Sequence, residues 1–108
     1  MDFKEESLSK KYYISSSEIH GQGVFANKDI YPGEEIDIGI NFIFSIFPTV
    51  TNYFGDFINH SWTPNGQLDY RYGKWYLITI KKIKTGQEIT MNYNVAPWYI
   101  LPPMKDYT

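Results

Sequence analysis

The chain has 108 residues, a formal net charge of −2 and no cysteine. A chain of this length forms one domain around a single core. The near-neutral charge gives no sign of the basic surface that direct nucleic-acid binding needs, or of a membrane-surface partner. Without cysteine there can be no disulfide or thiolate zinc cluster, and two histidines are too few for a conventional metal site, so we predict no metal. No apolar run approaches the roughly 20 residues of a membrane span, and we expect a soluble intracellular protein.

The first third of the chain predicts short strands separated by turns. Residues 1–11 are charged and serine-bearing, and we expect them to be a flexible N-terminus. Residues 12–14 and 24–26 are β-type runs. In Tyr31-Pro32-Gly33-Glu34, proline followed by glycine predicts a type II turn.

A long alternation of apolar and polar residues starts at Ile36. The apolar residues fall on one face as far as Ile46, which is the period of a strand, bent at Gly39 and ended by Pro48. Residues 51–57 are compatible with a helical turn.

The second half of the chain predicts a hairpin and one last strand. The hairpin covers residues 68–80 and turns at Gly73 and Lys74, and the strand covers residues 88–93. A proline-rich aromatic tail follows. Because no segment has a long helical period, we predict a mainly β domain with little helix, formed by residues 12–108 together with that tail.

One nine-residue pattern occurs twice. Residues 28–36 (KDIYPGEEI) and residues 81–89 (KKIKTGQEI) share the form K-x-I-x-x-G-x-E-I. Two copies are too few for a solenoid, so we interpret them as one strand–turn–strand unit used twice. The alternative is that similar turn chemistry arose independently in each copy.

Three segments carry motifs. Residues 20–26 read HGQGVFA, residues 57–65 read FINHSWTPN and residues 86–93 read GQEITMNY. Taken alone, the middle segment indicates a turn in which Asn59, Ser61 and Asn65 bond to local backbone around a buried histidine. Taken together and in this order, the three segments resemble the SET-domain protein lysine methyltransferases, over most of the chain.

The resemblance implies a fold and an activity. The fold is a β-clip of several small sheets, in which a threaded C-terminal segment (a pseudoknot) brings the NHS loop and the final tyrosine together. The activity is methyl transfer from S-adenosyl-L-methionine to the side-chain amine of a lysine in a protein or peptide, with histones as possible substrates. A free lysine has a pKa of about 10.4, so the site must desolvate the amine to keep it neutral. Alignment of the amine with the methyl group then supplies much of the rate.

The resemblance also implies roles for individual residues. Tyr93 corresponds to the catalytic tyrosine, and its alternative role is that of a core tyrosine. The cofactor-binding residues are Gly21, Gln22, Gly23, Val24, Asn59, His60 and Trp98, and the substrate-channel residues are Tyr53, Met91 and Tyr99. His60 could equally be a buried structural histidine, and Trp98 and Tyr99 could simply pack beside Pro97.

The chain also departs from the family pattern. Trp62 stands where cysteine often follows NHS, and no cysteine-rich pre-SET or post-SET segment is present, as in small viral SET proteins. The insert that usually helps to hold the substrate peptide is reduced to residues 47–54. Met91 stands two residues before Tyr93, where other members govern the number of methyl groups added, so that number stays open.

These departures leave several alternatives open. A homodimer or a partner could complete the substrate groove. The alternatives to an active enzyme are an inactive SET-like module that binds cofactor or a lysine-containing peptide, and a small β interaction domain without cofactor. We expect an intracellular location, with the nucleus of a host cell and the cytoplasm both open.

Overall fold

Two four-stranded sheets make up the domain. The structure, a computed structural model, describes residues 10–95. One sheet has the strand order β1-β2-β8-β5 and the other has the order β4-β3-β7-β6. The strands are β1 Tyr12–Ser16, β2 Gln22–Ala26, β3 Glu35–Ile43, β4 Phe47–Val50, β5 Asn59–His60, β6 Gly66–Arg71, β7 Lys74–Thr79 and β8 Glu88–Met91.

Helix is confined to two 3-10 turns, at Gly55–Phe57 and Tyr93–Val95. The prediction of a mainly β fold with several small sheets and little helix is therefore confirmed. The 68–80 hairpin is also confirmed, because β6 and β7 pair in antiparallel register from Gly66 with Thr79 to Arg71 with Lys74. No helix within the described residues is both long enough and apolar enough to cross a membrane.

The core lies between the two sheets and collects side chains from both. Its members are predominantly aliphatic, and Phe54 fills the centre with a fully buried ring. Burying one side chain such as leucine, isoleucine or phenylalanine contributes about 1.5–3 kcal/mol to stability. This buried cluster is therefore the main source of stability. The buried members are Tyr12, Val24, Ala26, Ile30, Ile36, Phe54, Ile58, Leu77, Ile83, Ile89 and Met91.

The alternation that starts at Ile36 is not one long strand. β3 ends at Ile43, the chain turns through residues 44–46, and β4 returns antiparallel with Pro48 opposite Phe42. The prediction that Pro48 ends the strand was wrong. β4 is the edge strand of its sheet, and a proline, which has no N–H to donate, is tolerated on an edge strand.

The two copies of the repeated pattern meet at their isoleucines. Ile30 and Ile83 exchange two backbone hydrogen bonds of 2.8 Å, and both side chains are fully buried. Each copy continues into a turn whose glycine has a positive φ, 89° at Gly33 and 87° at Gly86. The predicted turn at residues 31–34 is confirmed by the bond from the Glu34 N–H to the Tyr31 carbonyl, 3.2 Å.

Each copy also docks on the strand that precedes the other copy. The Gly86 N–H donates to the Ala26 carbonyl (2.8 Å), and the Gly33 N–H donates to the Thr79 carbonyl (2.8 Å). Beyond the turns, β8 pairs with β2 and β3 pairs with β7. The copies therefore occupy equivalent positions and exchange strands, which confirms one unit used twice.

This exchange positions β8 for the site. β8 lies between β2, with which it pairs antiparallel, and the short strand β5, with which it pairs in parallel. Asn59 faces Thr90 and His60 faces Met91. The three motifs of the sequence are thus neighbours in one sheet. The last strand ends at Met91 rather than residue 93, and the proline-rich tail lies outside the described residues.

Candidate active site

Asn59, in the middle motif, connects the first motif to the last. Its side chain is 7% exposed. The amide nitrogen donates to the carbonyl oxygens of His20 (3.1 Å) and Gln22 (3.2 Å) and to Glu88 Oε2 (2.9 Å). All three neighbours are acceptors, and this fixes which end of the amide is nitrogen. Among the described residues, no donor bonds to the amide oxygen, which is therefore available to a donor on a ligand.

The loop before β2 is built to bring its backbone close to Asn59. The Ser17 N–H donates to the Gly21 carbonyl (2.8 Å), and Ser17 Oγ accepts from the Ile19 N–H (2.9 Å). Gly21 has a φ of 46°, a conformation that glycine adopts without strain. At Gly23 a Cβ would overlap the Glu88 carboxylate and lie 3.1 Å from the Asn59 amide nitrogen. A residue larger than glycine would therefore force the Glu88 carboxylate out of its position.

Glu88 is a site residue that sequence reasoning missed. Besides the bond from Asn59, its carboxylate accepts the Ser17 hydroxyl at 2.8 Å to Oε1 and 2.9 Å to Oε2. Glu88 lies within the third motif, but no role was predicted for it, and its place in the repeated pattern is shared with Glu35. Nothing local distinguishes the two glutamates, because the partners of Glu88 lie far away in the sequence.

His60 is buried beside the last motif. Its ring is 1% exposed, packs edge-on against Trp62 (centroids 4.5 Å apart) and lies 5.3 Å from the Tyr93 ring. Its Nδ1 accepts a hydrogen bond from the Tyr93 N–H, 3.1 Å. A ring nitrogen that accepts carries no proton, so the imidazole is neutral, and burial lowers its pKa in keeping with this.

Asn65 ties the middle motif to β8. Its amide nitrogen donates to the Glu88 carbonyl (2.8 Å), and its amide oxygen accepts from the Thr90 N–H (2.9 Å). Asn59 and Asn65 were expected to bond to local backbone, and for both that expectation was wrong. Ser61 does bond locally, accepting from the Thr63 N–H at 3.1 Å. The two asparagines instead bond to other elements, as residues that assemble a site do.

Tyr93 lies at the start of the second 3-10 turn, next to His60. Its hydroxyl donates to the carbonyl oxygen of Ile58, directly before Asn59. A phenol has one proton. Because Tyr93 uses it in the hydrogen bond to the Ile58 carbonyl, the hydroxyl oxygen has only lone pairs to offer to other groups. The hydroxyl therefore acts as an oriented acceptor at this position.

The remaining predicted site residues are distributed unevenly. Gly21 and Gln22 are exposed beside Asn59, whereas the side chains of Val24 and Met91 lie in the core. Tyr53 is half exposed, and its pKa is raised by burial and by the nearby Asp37 and Tyr76. Trp98 and Tyr99 lie outside the described residues.

The arrangement suits a reaction that depends on alignment. It presents exposed loop backbone, one amide oxygen and one oriented hydroxyl around a rigid parallel strand pair. Within residues 10–95, no group of three histidine, aspartate or glutamate side chains could hold a metal ion. The described residues of the site offer polar contacts and fixed placement, which suit a reaction that depends on alignment.

Solved structures share this fold. A candidate histone methyltransferase of Plasmodium falciparum is 22% identical, with a TM-score of 0.63, over 83% of this chain and 98% of that one. A humanized mutant of the Chaetomium thermophilum Polycomb Repressive Complex 2, bound to the inhibitor GSK126, is 22% identical, with a TM-score of 0.60. That match covers 78% of this chain and 15% of that one. A search among curated proteins found no match.

The sequence itself matches a family model. The SET-domain model covers residues 37–94, more than half of the chain, including the middle motif and the last motif with Tyr93. The geometry agrees, since Asn59, His60 and Tyr93 meet where β5 pairs with β8. The family model covers more than half of the chain and includes two of its three motifs, so the chain belongs to the SET-domain family.

Proposed function

We propose that the protein transfers a methyl group from S-adenosyl-L-methionine to the side-chain amine of a lysine in a protein substrate. The observation that carries this proposal is the position of Asn59, which bonds to both the 20–22 loop and β8 while its own amide oxygen stays available. Histones are the first substrates to test, because one of the similar solved structures is named as a candidate histone methyltransferase. The activity places the protein inside the cell, with the nucleus and the cytoplasm as its possible sites of action.

The residues present fit the cofactor. S-adenosyl-L-methionine, when bound, supplies an electrophilic methyl group on a sulfonium together with an ammonium donor. The Asn59 amide oxygen would accept from such a donor, and Gly21 and Gln22 expose loop backbone beside it. No side chain of the loop intrudes at Gly21, where even a Cβ would meet open space. His60 supports this arrangement by fixing the backbone of Tyr93.

The protein's own residues account for how the amine is prepared. A lysine amine reacts only when neutral, and removing it from water lowers its pKa from about 10.4. The Tyr93 hydroxyl donates its hydrogen bond to the Ile58 carbonyl, so its oxygen would accept from an N–H of that amine. The amine's own lone pair would then point away from Tyr93 and be available to accept a methyl group. Placement of this kind is worth several kcal/mol of a transfer barrier.

An inactive module that binds cofactor or a lysine-containing peptide is the second candidate. It is favoured by the short segment between β3 and the middle motif, which contains only β4, a turn and one 3-10 turn. β4 pairs with β3 in the sheet, so this segment leaves few residues available to bind a substrate peptide.

Methyl incorporation separates the two candidates. Purified protein is incubated with S-adenosyl-L-methionine and either core histones or a cell lysate, and products are read by mass spectrometry. The proposal expects methyl-lysine with wild-type protein and with the control Asn52→Ala, an exposed turn residue, but not with Asn59→Ala. Calorimetry with S-adenosylhomocysteine gives the second readout. Cofactor binding without any methyl-lysine product selects the inactive module, and no binding of S-adenosylhomocysteine removes both the enzyme and the module that binds cofactor.

We also propose that two copies associate through the β3–β4 hairpin. Four apolar side chains at its end are half to fully exposed: Ile43 50%, Phe44 85%, Ile46 68% and Phe47 59%. Phe54, a further aromatic residue close to β4 in the sequence, is fully buried in the core and adds nothing to this surface. The hairpin alone therefore supplies the apolar contact area of the proposed homodimer.

A further inference from the structure

We propose that Glu88 is a positioning residue of the cofactor site, which sets the affinity for S-adenosyl-L-methionine by holding Asn59 and the 17–23 loop in their binding geometry. This inference rests on the proposed methyl transfer. It starts from one carboxylate that joins three segments of the chain: β8, which carries it, β5 through Asn59, and the loop through Ser17.

The first contact fixes the Asn59 amide. Of the three acceptors around the amide nitrogen, Glu88 Oε2 is the nearest at 2.9 Å and the only one with a formal charge. Hydrogen bonds to a charged acceptor are roughly twice as strong as neutral ones. Because the amide is planar, holding its nitrogen also aims its oxygen. Glu88 therefore determines where the available acceptor of Asn59 points.

The second contact fixes the loop. The Ser17 hydroxyl donates its proton to the Glu88 carboxylate, which leaves its oxygen to accept the Ile19 N–H (2.9 Å). The Ser17 N–H in turn closes the loop on the Gly21 carbonyl (2.8 Å). One carboxylate thus orients a hydroxyl that shapes the exposed backbone beside Asn59. Without that carboxylate, the hydroxyl would be free to rotate, and the loop would lose its connection to β8.

Glycine at position 23 leaves room for the Glu88 carboxylate and the Asn59 amide. A Cβ there would occupy the space of Glu88 Oε2 and press on the Asn59 amide nitrogen, 3.1 Å away. The clash is mainly with the carboxylate rather than with backbone, so it depends on Glu88 being present. Position 23 and position 88 should therefore behave as a coupled pair.

The repeated pattern provides a matched control. Glu35 occupies the same place in the first copy as Glu88 in the second. Its side chain is exposed at the surface, where it forms a 3.7 Å ion pair with Arg71. An exposed pair of this kind contributes little. The two glutamates share local sequence and turn geometry and differ in what their carboxylates contact.

The main experiment compares Glu88→Ala, Glu88→Gln and Glu35→Ala by calorimetry with S-adenosylhomocysteine. Losing a hydrogen bond to a charged group costs about 1.5–3 kcal/mol, so Glu88→Ala should weaken binding roughly tenfold to a hundredfold. Glutamine keeps an acceptor for Asn59 and can donate to Ser17 Oγ, so Glu88→Gln should stay within about threefold of wild type. Glu35→Ala should bind like wild type.

Kinetics on the substrate found by methyl incorporation add a second test. For Glu88→Ala the KM for the cofactor should rise while kcat at saturating cofactor stays within about threefold, since a positioning residue does not touch the reacting atoms. Equal binding by Glu88→Ala and wild type overturns the proposal. So does equal loss in Glu88→Gln and Glu88→Ala, since the charge rather than the geometry would then be acting.

A readout without cofactor separates this proposal from the proposed function. Amide hydrogen exchange at Ile19 and Gly23 should accelerate in Glu88→Ala and not in Glu88→Gln or Glu35→Ala. In addition, Gly23→Ala should destabilise the wild-type background more than the Glu88→Ala background. Unchanged exchange together with additive effects refutes the role of Glu88. Wild-type protein that shows this coupling but binds no S-adenosylhomocysteine refutes the proposed function instead.

Discussion

The hydroxyl of Tyr93 and the ring of His60 each form a hydrogen bond with the backbone of another motif residue. Tyr93 donates to the carbonyl of Ile58, and His60 accepts from the N–H of Tyr93. These two bonds join the residues on either side of Asn59 to the start of the last 3-10 turn. A side chain bonded to backbone of the core has little freedom to move, so both groups are oriented before any substrate arrives.

Replacing Tyr93 by phenylalanine tests whether its hydroxyl acts in the reaction. Removing one oriented group from a transition state costs on the order of 2–4 kcal/mol, roughly a tens- to thousandfold drop in turnover. Cofactor affinity should stay near that of wild type. Because the hydroxyl also bonds to Ile58, the free energy of unfolding should fall by about 1 kcal/mol.

The measurements for Tyr93→Phe are single-turnover methyl transfer, calorimetry and urea denaturation. Tyr72→Phe serves as the control, because Tyr72 is 88% exposed. A Tyr93→Phe protein that methylates as fast as wild type would mean that Tyr93 is a structural residue and that the proposed mechanism is wrong.

The buried His60 predicts a loss of stability in mild acid. Burial lowers its pKa in the folded protein, whereas in the unfolded chain it stays near 6.5. The unfolded state therefore binds the proton more readily, and the stabilisation present above pH 6.5 is lost as the pH falls below it, by at most about 1.4 kcal/mol per pH unit.

Urea denaturation between pH 7.5 and 5 measures this loss. In His60→Asn the side-chain oxygen can still accept from the Tyr93 N–H but cannot titrate, so the slope over this range should flatten. His20→Asn, at an exposed position, should keep the wild-type slope. Identical slopes in all three proteins would show that His60 is not the titrating group.

The site residues carried by a motif could be named from the sequence, and their roles stay predictions. Asn59, His60 and Tyr93 were named from the order of three short segments, and the structure brings them together. Glu88 was beyond reach, because its carboxylate gains its role from Ser17 and Asn59, 71 and 29 residues away in the sequence. The neighbouring residues of the repeated pattern alone do not distinguish Glu88 from Glu35.

Among the elements, the β3–β4 hairpin shows where periodicity fails. The apolar alternation runs through Phe44 and Ile46 without interruption, so it contains no signal for a turn. The chain nevertheless turns there, with φ of 54° at Phe44 and 64° at Ser45. Such turns usually carry asparagine and glycine, and a bulky residue at positive φ is strained. Turn chemistry therefore predicted the type II turns but could not predict this one.

The strain at this hairpin can be relieved by two substitutions. Phe44→Asn with Ser45→Gly supplies the residues that a turn with two positive φ values prefers. Residues held at unfavourable φ cost about 1–3 kcal/mol each, so the double variant should raise the free energy of unfolding by about 1 kcal/mol or more. Thermal and urea denaturation measure this. A less stable double variant would show that Phe44 contributes packing which its 85% exposure does not reveal.

The same variant tests the proposed homodimer. Phe44 is the most exposed of the four apolar side chains at the hairpin end, so its loss should weaken association at least tenfold. Light scattering over a concentration series is the measurement, with Tyr72→Asn, an exposed aromatic at another hairpin turn, as the control. Wild-type protein that is monomeric at high concentration would contradict the proposal.

At the scale of the whole molecule, the exchange of strands between the two repeated units dominates. The last strand of each unit pairs with the strand that precedes the other unit. β3 pairs with β7, and β8 pairs with β2. The paired isoleucines 30 and 83 lie where the units meet and are fully buried. A change to either isoleucine should therefore disturb both units.

Ile30→Ala and Ile83→Ala should destabilise the protein by similar amounts. Deleting a buried isoleucine to alanine costs about 2–5 kcal/mol. Because the two residues are paired, the loss in the free energy of unfolding of the double variant should differ from the sum of the two single losses by at least about 0.5 kcal/mol. Urea denaturation of the two single variants and the double variant completes the cycle, with Ile80→Ala, 41% exposed, as the control. Strict additivity would show that the two units are energetically independent.

The exchange of strands also sets the order in which the molecule can be assembled during synthesis. A chain leaving the ribosome at about 5–20 residues per second can form the β1–β2, β3–β4 and β6–β7 hairpins early, because each joins neighbours in sequence. Asn59 must wait for Glu88 and Thr90, and β5 has no partner in its sheet until β8 has emerged. The site is thus completed late, after most of the domain already exists. A nascent or truncated chain that ends before residue 88 has no Glu88 carboxylate and no partner strand for Asn59, so ligand binding reports that the last strand has been inserted.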